Sequence, residues 1–266
     1  MERLLIGLDI DGTIVLEDDS LSQRVADAVR AVVDAGHTVV LATGRSKPST
    51  VTTAERLGIE PSHLVVANGA QVLELRGRQY ATIHVETFDP GPALRTIAQG
   101  LPTGSFMVED ASGHRRYTNG MFDWDLADAE QVEFEELLGI PAMRVVVMSP
   151  DHHVDDFLEI VQSMGLHKVS YAIGYSSWLD IAPDGVNKAT GLERVANLLG
   201  FTRDRMIVVG DGRNDIDMFQ WVVAGSGRAV AMGQAPDEVK AAANEVTATV
   251  EDDGLAVLLE GLLVRS

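Results

Sequence analysis

Near its amino terminus the chain reads Leu4-Leu5-Ile6-Gly7-Leu8-Asp9-Ile10-Asp11-Gly12-Thr13. A short apolar run ends there in two carboxylates and a glycine. A run apolar throughout, rather than alternating, is the pattern of a strand buried on both faces, as in parallel sheets covered by helices. Four further runs have this form. Residues 38–42 end in Thr43-Gly44-Arg45, and residues 64–67 end in Asn68-Gly69. Residues 206–209 end in Gly210-Asp211-Gly212, and residues 229–232 form the fifth. Between the first two, residues 22–35 place Val25, Val29, Val32 and Val33 on one helical face, with Gly36 as a stop. A second helix spans residues 188–199 and closes on Gly200. Strand–helix–strand alternation predicts an α/β fold with a parallel sheet covered on both faces. Such sheets place ligands at the carboxyl ends of their strands, which is where the polar residues fall here.

The middle of the chain reads differently. Between residues 83 and 181 the pattern is that of an α+β unit, with strands at 144–148, 168–173 and 178–181. Helices are predicted at 92–99, 126–138 and 154–164. The parallel-sheet pattern resumes afterwards. The expected organisation is therefore a core of residues 1–82 and 183–266 carrying an inserted domain of residues 83–182.

Composition removes several classes of function. The 266 residues hold 40 Asp+Glu against 21 Lys+Arg, a formal net charge of −19. A chain this acidic, without a Lys/Arg cluster, is a poor partner for nucleic-acid backbones or anionic lipid. The absence of cysteine excludes disulfides, zinc–thiolate sites and cysteine nucleophiles. No stretch reaches the ~18 apolar residues of a membrane helix, and the apolar start runs into Asp9 without a cleavage signal. The expected location is the cytoplasm.

The strand ends carry the chemistry. Asp9 and Asp11, at i and i+2, leave a strand on the same side. Carboxylates that close repel unless a proton or a cation joins them. Mg²⁺, which prefers oxygen ligands and takes one or two carboxylates together with phosphate and water, is the natural cation. A solvated Asp-rich turn is the plain alternative for this pair alone. A calcium loop fails on spacing, because it needs glycine at its sixth position and glutamate at its twelfth, whereas Gly12 is fourth and Ser20 twelfth. Asp211 and Asp215 form a second acidic strand end. Asp215 by itself would suit a helix N-terminus, but Asp211 sits between two glycines and has no such account. Thr43-Gly44 offers a hydroxyl and N–H groups at a helix entrance, a phosphate cradle or an ordinary cap and turn. Lys188 opens a helix at the end where the dipole disfavours a cation, so it either meets a local anion, such as a carboxylate or a phosphoryl group, or is simply solvated.

The order Asp9-x-Asp11-Gly12-Thr13, Thr43-Gly44-Arg45, Lys188 and Gly210-Asp211-x-x-Asn214-Asp215 resembles the four motifs of the haloacid dehalogenase superfamily. It is most similar to the Cof-type, subfamily IIB, sugar-phosphate phosphatases. Asn68-Gly69-Ala70 and the tail through Ala231-Met232-Gly233 and Asp253-Gly254 share the likeness, and Gln234 departs from it, standing where the family often has Asn. No catalytic consequence is expected of that departure. The resemblance implies a doubly wound, Rossmann-like parallel-sheet core with an inserted α+β cap that selects the substrate. It implies a Mg²⁺-dependent phosphomonoester hydrolase with Asp9 as nucleophile and Asp11 as general acid and base. Asp9, Asp211, Asp215 and the main-chain carbonyl of Asp11 would hold the metal. Thr43, Gly44 and Lys188 would bind phosphate, and Asn214 would orient phosphate or Lys188. Arg45 could reach substrate or form a salt bridge in the core. The cap bases Arg115 and Arg116 could meet an anionic substrate or simply balance acids such as Glu109 and Asp110. Trp124, Tyr171, Tyr175 and Trp178 could stack on a sugar or pack in the core, and His152-His153 is a poor metal pair. The partner implied is a small phosphorylated metabolite. A phosphomutase with the same core and cap, and a non-catalytic phosphosugar-binding protein, are the alternatives.

Overall fold

A computed structural model of the chain describes residues 3–119, 121, 126, 128–149, 151, 156, 159–160, 163–164, 169–173 and 178–264. Its strands, in chain order, are β1 (Leu5–Leu8), β2 (Thr38–Ala42), β3 (His63–Val66), β4 (Gln71–Arg76) and β5 (Gln79–Val85), then β6 (Ser105–Asp110), β7 (Arg115–Tyr117) and β8 (Ala129–Gln131). They continue as β9 (Ala142–Met148), β10 (Val169–Ile173), β11 (Trp178–Pro183), β12 (Met206–Gly210), β13 (Arg228–Ala231) and β14 (Glu245–Val246). The described helices are α1 (Gln23–Asp34), α2 (Lys47–Leu57), α3 (Gly91–Gly100), α4 (Phe134–Leu137), α5 (Lys188–Leu199), α6 (Ile216–Val223), α7 (Asp237–Ala242) and α8 (Gly254–Val264). Two compact units result: Met1–His84 with Asn187–Ser266, and Val85–Val186. No helix among the described residues is long and apolar enough to cross a membrane.

The first unit is built on an eight-stranded sheet of order β14-β13-β12-β1-β2-β3-β4-β5. The six strands from β14 to β3 run parallel, and β4 turns back antiparallel on β3. Alternation divides the strand residues between two cores. Ile6, Leu8, Leu41, Ile207 and Val209 face Val25, Val29 and Val32 of α1 and Leu255, Ala256 and Leu259 of α8. Leu5, Val40, Val65 and Val208 face Ala189, Leu192 and Val195 of α5 and Phe219 and Val222 of α6. This is a doubly wound α/β architecture with helices on both faces of its sheet. Parallel register sets Leu8 beside Leu41 on one side and Val209 on the other, so β1, β2 and β12 end level with one another.

The second unit has a six-stranded sheet of order β10-β11-β9-β6-β7-β8, antiparallel except for the β7–β8 pair. One face packs Phe106, Val108, Val145, Val147, Leu179 and Ile181 against Leu94 and Ile97 of α3 and Leu137 of α4. The helix predicted at 126–138 is corrected here. Residues 129–131 pair with β7 as β8, and only Phe134–Leu137 are helical. The neighbouring strand supplies Arg116, 3.4 Å from Glu130, and a capping box between Glu133 and Glu136 starts the helix late. Most of the helix predicted at 154–164, with His152-His153, Trp124 and Tyr175, lies outside the described residues, as does the side chain of Tyr171; the described positions 156, 159–160 and 163 are helical.

The opposite face of this sheet buries charge. Arg144 on β9 lies directly across from Glu109 on β6, and its guanidinium donates to both oxygens of Asp180 on β11 at 2.9–3.1 Å. Glu109 Oε2 is 3.9 Å from Arg144 Nη1, too far for a hydrogen bond. Burial pushes the Glu109 carboxyl up to about 7, although Arg144 and Arg115 oppose the shift. A carboxyl whose folded pKa is raised contributes stability below its unfolded value near 4.5 and loses it as pH rises through about 7. Glu109→Gln is therefore expected to gain on the parent between pH 5 and pH 8 by about 2–3 kcal/mol. Denaturant unfolding at the two pH values checks this, and a gap that does not change with pH would contradict it.

Candidate active site

Three parallel strand ends and one helix start bring the polar residues of the first unit together. Asp9 follows β1, Thr43 follows β2, Asp211 follows β12, and Lys188 is the first residue of α5. Asn187 caps that helix by accepting from the Thr190 N–H at 3.1 Å, which orients the first turn and with it Lys188. Lys188 is fully buried. Its Nζ lies 2.7 Å from Asp9 Oδ1 and 2.7 Å from Asp215 Oδ1. The anions that a cation needs at this end of a helix are thus these two carboxylates. Asp215 lies in the short turn Arg213–Asp215 before α6, and its Oδ2 accepts from the N–H groups of Asp211 and Gly212 at 2.9 Å each.

The electrostatics of this cluster are unbalanced. Asp9, Asp211 and Asp215 are all buried, and each offers an oxygen within 4.8 Å of the others. One ammonium stands against three carboxylates. Burial, with Asp215, holds the Asp9 carboxyl well above the usual carboxylate range; Lys188 opposes this, and Asp211 and Asp11 add to it. Burial would lower the ammonium's proton affinity, but Asp215 and Asp9 more than offset it and hold Lys188 protonated. An all-oxygen donor set with surplus negative charge fits a hard divalent cation such as Mg²⁺.

Asp11 is placed apart from the three. Its side chain is 62% exposed and accepts from Arg45 Nη2 at 2.6 Å and from Arg45 Nε at 3.1 Å. Arg45 also binds Asp19 at 2.7 Å, so of its two readings the structure displays the salt bridge. Thr43 is buried, and its hydroxyl accepts from the Arg45 N–H at 3.1 Å, which shapes the turn through Gly44. Asn214 donates to Asn68 Oδ1 at 3.0 Å. Asn68 and the preceding Ala67 adopt positive φ, 52° and 49°, which aims the loop after β3 at Asn214. Arg115 and Arg116 belong to the second unit. Arg116 is held 3.2 Å from Asp110 and 3.4 Å from Glu130, and Arg115 is near enough to Glu109 to affect its titration.

Two contributors escaped the sequence reading. Asn68 was visible as a strand end but had no assigned partner. Gln234, set aside as a neutral departure, donates to Gly12 O at 2.6 Å and lies 3.3 Å from Asp211 Oδ2. The available signal was its place just beyond β13, another strand of the same parallel set.

Gly12 explains the glycine of the first motif. Its φ is +69°, and a Cβ there would lie 2.0 Å from Asp211 Oδ2. Gly36 supplies a control, since it also has positive φ but open space around a Cβ. Gly12→Ala is expected to lower stability by about 1–3 kcal/mol more than Gly36→Ala, because overpacking adds to backbone strain. Thermal melts compare the two, and equal losses would show that Asp211 is not seated where the Cβ must go.

The comparisons with known proteins agree with this architecture. A family model described as haloacid dehalogenase-like hydrolase matches residues 6–259, and the chain belongs to that family. The 5-amino-6-(5-phospho-D-ribitylamino)uracil phosphatase YitU of Bacillus subtilis (strain 168) is 27% identical over 264 residues, covering 96% of each chain. A phosphoglycolate phosphatase of Natronomonas pharaonis is 33% identical over 259 residues, again covering 96% of each. The solved structure of BT4131, a sugar phosphatase of HAD subclass IIB, shares the fold with a TM-score of 0.78 at 21% identity, over 98% of this chain and 99% of that one. Family and relatives together make the chain an enzyme, a phosphatase.

Proposed function

We propose that the chain is a Mg²⁺-dependent phosphomonoester hydrolase acting through an aspartyl-phosphate on Asp9, on a small phosphorylated metabolite such as a sugar phosphate. The observation that carries this reading is the buried Asp9–Lys188–Asp215 arrangement, with Asp211 beside it, at the carboxyl ends of adjacent parallel strands. Asp9, Asp211 and Asp215, with the main-chain carbonyl of Asp11, would hold Mg²⁺. When bound, the ion would neutralise the surplus charge and orient the phosphoryl oxygens.

The residues then divide the work. Asp9 attacks phosphorus through a carboxylate oxygen, and the bond from phosphorus to the ester oxygen breaks. Asp11 gives its proton to the departing alcohol, then takes one from the water that attacks phosphorus and releases phosphate from Asp9. Lys188 fixes the Asp9 rotamer through Oδ1 and places a positive charge beside the phosphoryl oxygens, where charge spreads in the transition state. The Thr43 hydroxyl and the turn through Gly44 supply further donors, and Asn214 braces the loop that carries Asp211 and Asp215 through Asn68.

Residues 83–182 act in this reading as the cap that selects the substrate. Arg116 is already paired with Asp110 and Glu130, which favours charge balancing over substrate contact. The test is a phosphate-release screen across some tens of phosphomonoesters, with Mg²⁺ and with a chelator. Chelator-sensitive release from a sugar phosphate or a comparable small ester, without need for a bisphosphate, is the expected result. Failure of every ester with folded protein would overturn the reading. Movement of the phosphoryl group between positions of a sugar, with no phosphate released, would favour the mutase instead.

A further inference from the structure

We propose that Gln234 is a positioning residue for the metal site: its side-chain amide locks the Asp211 carboxylate against the Gly12 turn and ties both to the turn at Val250. The inference rests on the reading of Asp9, Asp211 and Asp215 as metal ligands and names a residue that sets their geometry.

The orientation of the amide follows from what surrounds it. The Val250 N–H can only donate, and it lies 3.0 Å from Gln234 Oε1. The Gly12 carbonyl can only accept, and it lies 2.6 Å from Gln234 Nε2. The oxygen must therefore face Val250 and the NH₂ must face Gly12. That choice leaves the same NH₂ 3.3 Å from Asp211 Oδ2, the oxygen that occupies the space above Gly12. One uncharged side chain thus joins three segments far apart in sequence: the loop after β1, the loop after β12 and the turn before α8.

The physical consequence concerns Asp211. Asp9 and Asp215 are each held by Lys188, and Asp215 also by two backbone N–H groups. The Asp211 carboxylate is seated against the missing Cβ of Gly12 and beside the Gln234 amide. Partners of this kind fix the direction of a metal-binding carboxylate, and removing one typically costs 10–100-fold in affinity or activity. A shorter Asn would retract the amide by one methylene from the same backbone position. The identity of residue 234 therefore bears on how this chain holds its metal.

The experiment reads Mg²⁺ binding by calorimetry on substrate-free protein, for the parent, Gln234→Ala and Gln234→Met. Met keeps nearly the volume of Gln and removes the donor, so it remains informative if the Ala variant does not fold. The expected result is a Mg²⁺ dissociation constant weakened about 10-fold or more in a folded variant, with kcat substantially recovered at saturating Mg²⁺. Filling space alone would lower the melting temperature of the metal-free variant without moving the constant. A folded variant that binds Mg²⁺ within about 2-fold of the parent overturns the inference and leaves the metal site standing. No Mg²⁺ binding by the parent would overturn the metal site and the inference together.

Discussion

Asp9→Asn is expected to lower phosphate release on the order of 10⁴- to 10⁶-fold, the range seen when an enzyme loses its nucleophile or a member of a unit that acts with it. The substitution keeps the size of the side chain and an acceptor for Lys188, so its effect is chemical rather than steric. Its effect on stability has the opposite sign. Burial and Asp215 raise the Asp9 carboxyl well above its ordinary range, so ionising Asp9 costs the metal-free fold stability. Such a group supports folding at low pH and loses that support as pH rises through its folded value. Asn removes the charge, and metal-free Asp9→Asn should melt at or above the parent temperature at pH 7. A dead enzyme that is at least as stable is the signature of a residue retained for function at a cost to the fold. A variant that keeps parental turnover on a confirmed substrate would remove Asp9 from the mechanism.

Lys188→Met carries the largest expected loss of stability. The side chain is fully buried and lies 2.7 Å from both Asp9 and Asp215. Methionine matches its length and volume but leaves three buried carboxylates with no internal cation. Removing one partner of a buried ion pair typically costs about 3–5 kcal/mol, because the remaining charge is stranded. For a domain of this size each kcal/mol corresponds to roughly 2–4 °C in melting temperature. The drop should therefore be about 6–20 °C in chelator. Added Mg²⁺ should recover part of it, since a cation that binds only the folded state stabilises by mass action. Activity should fall together with stability and should not return with the metal, because the charge beside the phosphoryl oxygens is gone. Parental stability in chelator would mean that Lys188 is not the cation that holds this cluster together, and the charge balance described here would be wrong.

The core of the fold was readable from sequence because its signals are local. Residues 38–42 form β2 as predicted, and residues 188–199 form α5 within its glycine stop. Buried parallel strands leave unbroken apolar runs, and the acids stand out where those runs end. The second unit was harder to read. Strand β8 exists because β7 offers it a partner, and nothing within Ala129–Gln131 announces that partner. The hairpin of β4 and β5 extends the core sheet without an apolar run of the parallel type. At the site, spacing identified the acids but not their directions. Asp11 is two residues from Asp9, yet β1 stops at Leu8 and the turn through Gly12 sends that carboxylate to Arg45. The Asn68–Asn214 and Gln234–Gly12 contacts join residues 146 and 222 positions apart, a separation that no local pattern encodes.

The central claim is that phosphate leaves in two displacements, through Asp9, rather than in one by direct attack of water. The stereochemical outcome at phosphorus separates the two. A phosphorothioate ester made chiral at phosphorus with oxygen isotopes, hydrolysed in water of a third isotope, yields a thiophosphate whose configuration records the number of in-line steps. Each in-line displacement inverts phosphorus, so passage through an aspartyl-phosphate predicts net retention. Net inversion would contradict it.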